Sequence, residues 1–165
     1  MKRLTVVRHA KSDWSLPGQQ DWDRVLNKRG QRDAPEMARR LRARKLKPDR
    51  ILTSPAVRAL TTATIMAHEL KVNAALVLQD ERLYLASAPD MLAVVREKGG
   101  DAAHLMVFGH NPGITEFVNR LSAGEQIDNM PTCAVFSAIF DIDDWRALAW
   151  GQGREEEFDY PRNLA

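Results

Sequence analysis

Strands alternating with helices along the chain predict an α/β fold, a three-layer α/β/α sandwich around a mostly parallel central sheet. Two observations carry this expectation. Short apolar or β-branched runs recur, and most lead into segments whose apolar residues repeat at helical spacing. One of these runs, His104–Phe108, is apolar almost throughout, as a central strand covered on both faces must be. With 165 residues, 44% hydrophobic and 28% charged, the chain reads as a single domain over residues 1–165 with a sizeable core.

The first strand spans about Arg3–Val7. Arg8 and His9 follow it directly and find no place inside a covered sheet, so they belong at its carboxyl end, where open α/β sheets bind ligands. Residues 10–26 form a long loop holding Pro17, Gly18, several aspartates, Trp14 and Trp22. Loops of this length without their own periodicity are usually functional or mobile. Asn27 is placed to cap a helix whose buried stripe is Ala34, Met37, Ala38 and Leu41. The arginines at its far end, Arg39, Arg40, Arg42 and Arg44, read with Lys45 as a solvated face that favours the negative end of the helix dipole.

Asp49–Thr53 reads as the second strand. Ser54 and Pro55 then supply the cap and first position of a helix with Ala56, Leu60, Ala63, Ala67 and Leu70 on its apolar stripe. Arg58 lies in its first turn, off that stripe and near a helix N-terminus that favours anions. A third strand is expected at Ala74–Leu78 and a helix at Pro89–Glu97, broken by Gly99 and Gly100. After the strand at His104–Phe108 comes the turn Gly109–Gly113, with Pro112 at a first helical position. Ile114, Phe117, Val118 and Leu121 give the next helix its buried face. Two late strands are expected at Ala134–Phe140 and Trp145–Trp150, followed by a charged, irregular tail from Gly151.

Three strand ends therefore carry Arg8-His9, Arg58 and His110. Right-handed crossovers between parallel strands bring these ends to one edge of the sheet. Arginine forks bind a phosphoryl group bidentately and keep their charge near neutral pH. Two arginines and two histidines can hold its oxygens as charge spreads over them. A neutral histidine, here His9, can attack phosphorus and form a covalent phosphohistidine that water then releases. Ser12 and Ser15 could donate to the phosphate from the first loop, or simply cap and solvate it. Trp14 and Trp22 either line the rim or pack.

Val7-Arg8-His9-Ala10 resembles the Arg-His-Gly signature of the histidine phosphatase superfamily, which includes the phosphoglycerate mutases. Ser54-Pro55-x-x-Arg58-Ala59-x-x-Thr62-Ala63 resembles its second motif, and Gly109-His110-Asn111 its third. The resemblance implies a nucleophile at His9 and phosphoryl binding by Arg8, Arg58 and His110. Ala10 stands where glycine is usual. Arg-His-Ala-Lys-Ser-Asp-Trp is similar to the compact bacterial branch of phosphohistidine phosphatases. The chain lacks room for the insertions that cover the site in larger members, which implies an open site suited to a phosphorylated protein. Glu81-Arg82-Leu83-Tyr84 resembles the stretch that carries the proton donor in the mutases, making Glu81 either that general acid or an exposed loop charge.

The expected activity is therefore phosphatase chemistry through a phosphohistidine intermediate, acting on phosphohistidine in a protein. The alternatives are a phosphatase for small phosphate esters and a phosphate-binding module without turnover. No cofactor or metal is expected, since histidine and arginine can do this chemistry alone and no zinc-spaced cluster or phosphate-binding Gly-Lys loop appears. Cys133 lacks the following arginine that a cysteine phosphatase needs. Phe140-Asp141-Ile-Asp143 has the pattern of an aspartate phosphatase, but too little chain follows it and it reads as a turn. His68 and His104 are expected to be structural. A net charge of +2 implies no general nucleic-acid or membrane partner. The lack of a signal-peptide pattern and the single cysteine point to a reducing cytoplasm.

Overall fold

A computed structural model describes residues 1–164. Six strands form one sheet: β1 Lys2–Arg8, β2 Arg50–Thr53, β3 Val77–Gln79, β4 His104–Gly109, β5 Val135–Phe140 and β6 Arg154–Asp159. Four helices accompany them: α1 Lys28–Ala43, α2 Val57–Glu69, α3 Ala88–Lys98 and α4 Gly113–Leu121. The strand order is β3-β2-β4-β1-β5-β6. The first four in that order are parallel, whereas β5 runs antiparallel to β1 and β6.

Alternation along the strands divides the core into two layers. Val7, Ile51, Met106 and Phe108 face the stripes of α1 and α2, among them Met37, Leu41, Ala63 and Met66. Leu4, Val6, Leu105 and Val107 face α3 and α4, against Met91, Val95, Ile114 and Phe117. Apolar side chains thus enter both layers from β4, the central strand, all six of whose residues are buried. The α1 stripe is buried as its periodicity predicts, and the Asn27 side chain caps that helix by accepting from the Gly30 N–H at 2.9 Å. No helix among the described residues is long and apolar enough to cross a membrane.

The register sets the geometry of the site. Arg8 pairs with Gly109, and Thr53 with Phe108, so β1, β2 and β4 end at the same level. The His9 N–H donates to the Gly109 carbonyl at 3.2 Å and the Ser54 N–H to the Phe108 carbonyl at 3.1 Å. The chain leaves β1 toward the α1 face and leaves the neighbouring β4 toward the α4 face. A crevice opens where adjacent parallel strands send their connections to opposite sides.

Several local expectations are corrected. Trp145–Trp150 is not a strand: Trp145–Ala147 is a 3-10 turn, and the indole of Trp145 is fully buried, donating to the Ala102 carbonyl at 2.8 Å. The sixth strand lies instead in the charged tail. Its sequence, Arg-Glu-Glu-Glu-Phe-Asp, is that of an edge strand that presents charge to water and so lacks apolar alternation. The third strand begins later than expected, because Ala74–Leu76 forms a 3-10 turn ahead of β3. Helix α2 begins at Val57, so Ser54 is not its cap; the Ser54 hydroxyl turns to His110. Its buried stripe runs through Ala59, Ala63, Met66 and Ala67, leaving Leu60 half-buried. Arg40 is not simply solvated: it donates to the carbonyls of Tyr160, Pro161 and Asn163 and pairs with Asp159, anchoring the C-terminal segment.

The loop after β3 packs on the first turn of α4, where a Cβ on Gly113 would overlap the Ala86 carbonyl. Neither backbone can retreat without moving the other. Gly113→Ala is expected to destabilise the fold by about 2 kcal/mol or more, as the large steric class of mutations does. Denaturant midpoints of the two proteins measure this.

Candidate active site

The ends of β1, β2 and β4 enclose a cavity of ≈ 210 Å³ whose lining includes Arg8, His9, Ser12, Arg58 and His110. Four of the six residues singled out from the sequence, Arg8, His9, Arg58 and His110, thus converge from three strand ends, and Ser12 joins them from the first loop. Glu81 does not. It is exposed at the start of the 3-10 turn Glu81–Leu83 and lies outside that lining. The residue of that stretch that reaches the site is Tyr84.

His9 is held on all sides. Its Nδ1 lies 2.8 Å from the Ala10 carbonyl oxygen, which can only accept, so Nδ1 carries the hydrogen. The lone pair is therefore on Nε2. The Ala10 N–H donates to the Thr62 hydroxyl at 3.0 Å, which in turn donates to the Arg58 carbonyl at 2.7 Å. From the other side the Cys133 N–H donates to the carbonyls of Arg8 and His9 at 3.1 and 3.0 Å. Cys133 adopts φ 62° to do so.

His110 packs its ring 5.2 Å from that of His9, centroid to centroid, and its Nε2 lies 2.7 Å from the Ser54 hydroxyl. Burial pulls the His9 pKa down from 6.5 to about 3, and the nearby Arg58, Arg8 and Arg24 reinforce this against the bond to Ala10. Burial likewise brings His110 to about 3, helped by His9, Arg58 and Arg8 and opposed by Asp21. Both imidazoles are neutral near pH 7.

Arg58, only 2% exposed, spends two donors on Asp21, to its carbonyl at 2.7 Å and its carboxylate at 2.9 Å. Arg8 donates to the Met130 carbonyl at 3.0 Å. Arg8 Nε, Arg58 Nε and His110 Nδ1 are buried without a hydrogen-bond partner, as is one oxygen of Asp33 among the described residues. Buried nitrogens are rarely left unpaired, and these three belong to residues that line one cavity with His9, a donor set that suits an oxyanion with several acceptor oxygens.

Asp21, Arg24 and Tyr84 also belong to the site, and sequence reasoning did not find them. Tyr84 donates its hydroxyl to Asp21 at 2.5 Å, and its ring meets His110 edge-on. Arg24 pairs with Asp21 at 3.0 Å, donates to the Ser12 hydroxyl, and stacks 3.5 Å above the Trp14 ring. Burial alone would raise the Asp21 pKa, but the bonds from Tyr84, Arg58 and Arg24 outweigh it and hold the carboxyl well below the usual range. The repeated aspartates of the first loop were the available signal, without a pattern to single out Asp21. His104, at the opposite end of β4, is buried against the Thr5 hydroxyl at 2.7 Å, while His68 is exposed. Among the described residues no group of three His, Cys, Asp or Glu is arranged to hold a metal ion.

Residues 4–84 match the model of the histidine phosphatase superfamily (branch 1). An uncharacterised chloroplastic protein of Arabidopsis thaliana is 29% identical over 136 residues, which cover 73% of this chain and 59% of that protein. The chain thus matches well under two thirds of that relative's length. Among solved structures, the protein histidine phosphatase SixA in complex with tungstate superposes with a TM-score of 0.83 at 22% identity, covering 99% of each chain. A protein assigned to the SixA phosphohistidine phosphatases from Agrobacterium tumefaciens superposes with a TM-score of 0.82 at 24% identity, covering 97% of this chain and 98% of that one. At these identities the two likenesses carry the fold.

The low pKa values of His9 and His110 have a consequence for stability. Above about pH 6.5 these histidines are neutral in the folded and the unfolded chain. As the pH falls below 6.5 the unfolded chain takes up protons that the folded chain refuses down to about 3. Stability is therefore fully present above 6.5 and declines with falling pH. Urea midpoints should drop between about pH 6.5 and pH 4.5, above the carboxylate range. The drop should be shallower in a His9→Gln/His110→Gln variant.

Proposed function

The chain belongs to the histidine phosphatase superfamily, and on that premise we propose that it hydrolyses phosphohistidine in a protein through a covalent phosphohistidine of its own. The observation that carries the reading is the Nδ1–H of His9 committed to the Ala10 carbonyl, which leaves the Nε2 lone pair as nucleophile beside two arginines. A module that only bound phosphate would have no use for an imidazole fixed in this tautomer.

In the first step Nε2 of His9 attacks phosphorus. A new P–N bond forms and the P–N bond to the substrate imidazole breaks; the substrate ring enters protonated on its other nitrogen, so the electron pair returns to the leaving nitrogen and the ring departs as neutral imidazole. In the second step a water oxygen attacks the phosphoryl group on His9. The His9 P–N bond breaks, Nε2 recovers its lone pair, and phosphate leaves with the oxygen of that water. Arg8 and Arg58 neutralise the charge that spreads over the oxygens in both steps. With the Ser54 hydroxyl donating to Nε2 of His110, the Nδ1–H of His110 donates to a phosphoryl oxygen. Asp21 holds the Arg58 guanidinium in place. Ser12 holds Arg24 at the cavity wall and offers a donor to the same oxygens.

The leaving group distinguishes the two substrate classes. An alkoxide needs a proton in the transition state, whereas a less basic imidazole leaves with less help. Glu81 lies outside the cavity. The Asp21 carboxyl is held ionised near pH 7 and has no proton to give. The site therefore favours a phosphoramidate over a small phosphate ester. The arginines supply the positive charge, so the route is metal-independent, and the single cysteine suits a reducing cytoplasm.

Specificity constants on phosphohistidine peptides, phosphoserine peptides and small phosphate esters test the reading, and the phosphohistidine peptide is expected to be the best substrate. Arg8→Ala, Arg58→Ala or His110→Ala should each lower turnover by about a hundredfold or more, as loss of one oxyanion donor does. A chelator should leave turnover unchanged. Glu81→Gln should turn over every substrate as the wild type does. A wild type that prefers simple esters would overturn the substrate class, and normal turnover by Arg58→Ala would overturn the site.

A further inference from the structure

Two residues in the lining of the catalytic cavity are apolar, Trp14 and Leu85, against a background of charged and hydrogen-bonding side chains. Both are exposed, Trp14 by 71% and Leu85 by 55%, which places them at the mouth rather than at the floor. Neither contributes to the core.

Leu85 is held by a strained backbone and Trp14 by a stacked guanidinium. Four non-glycine residues among those described have positive φ: Lys45, Lys71, Leu85 and Cys133. Lys45 and Lys71 each follow a helix end, where Leu46 N–H donates to the Leu41 carbonyl and Val72 N–H to the Ala67 carbonyl, a pattern that commonly uses the left-handed region. Cys133 holds the end of β1. Leu85, at φ 49°, has none of these reasons. It follows an extended Tyr84 in a turn position that favours glycine, and burial of its side chain in the core does not repay the strain. Trp14 is fixed by the Arg24 guanidinium, stacked 3.5 Å from its ring centroid and itself tied to Asp21 and Ser12. One face of the indole is covered and the ring is still mostly exposed.

We propose that Trp14 and Leu85 are specificity-determining residues that clamp the planar ring carrying the phosphoryl group, namely the imidazole of a substrate phosphohistidine. This rests on the function proposed above and adds how the leaving side is recognised. The polar floor takes the phosphoryl oxygens, while the indole and the leucine side chain take the two faces of the ring. A flat ring gains by stacking on an aromatic face, which an alkyl leaving group or ammonia cannot do.

The test compares kcat/KM of the wild type, Trp14→Ala and Leu85→Gly on a phosphohistidine peptide and on phosphoramidate, which has the same P–N bond but no ring. Each variant is expected to lose about tenfold more on the peptide than on phosphoramidate, the scale of one aromatic contact. Leu85→Gly should keep or raise the melting temperature, since glycine relieves the left-handed backbone. Equal losses on the two substrates, or no loss, would overturn the clamp while leaving the proposed function standing. A wild type inert toward both would overturn the proposed function, and the clamp with it. A phosphotyrosine peptide preferred to the phosphohistidine peptide would overturn imidazole as the ring.

Discussion

The hydrogen bond from His9 Nδ1 to the carbonyl of the next residue, Ala10, is the constraint on which the rest of the site depends. It decides which nitrogen of the imidazole carries the lone pair. It does so with a backbone group, whose position follows from the end of β1. The surrounding contacts serve that position: Thr62 from α2 holds the Ala10 N–H, and Cys133 ahead of β5 holds the carbonyls of Arg8 and His9. Two segments distant in sequence thus fix one short stretch of backbone.

Electrostatics then follow from burial. Neutral imidazoles persist because both rings are buried and flanked by arginines, and protonating either one would add positive charge among positive neighbours. The arginines themselves are kept together by Asp21, whose carboxylate sits between Arg58, Arg24 and Tyr84. The first loop is therefore not a loose cover. It delivers an anion that holds Arg58 and Arg24 together, while Arg58 Nε keeps no hydrogen-bond partner.

What the sequence made legible follows from the range of the interactions. Strand ends could be read because buried runs such as Leu4–Val7 and His104–Phe108 stop abruptly at charged or polar residues, and parallel topology then forces those ends together. Asp21, Arg24 and Tyr84 could not, because their contacts arise where an aperiodic loop folds back across the strand ends. Ser54 shows the same limit at one residue. Its local context, Ser-Pro before an apolar stripe, reads as a helix cap, but its hydroxyl accepts from the Ala56 N–H ahead of the helix and also bonds a buried histidine 56 residues away. Glu81 and Tyr84 share one short motif, and the 3-10 turn between them sends the tyrosine inward and the carboxylate to solvent. Strand β6 was illegible because charge on an edge strand erases the alternation that marks a strand.

The most direct test of this account is the identity of the phosphorylated nitrogen. Turnover of a 32P-labelled phosphohistidine peptide, quenched in base, should trap a base-stable, acid-labile adduct, and NMR of the 15N-histidine-labelled phosphoenzyme should show phosphorus coupled to Nε2 of His9. Phosphorus on Nδ1 of His9, on another residue, or on no residue of a protein that turns over rapidly would contradict it.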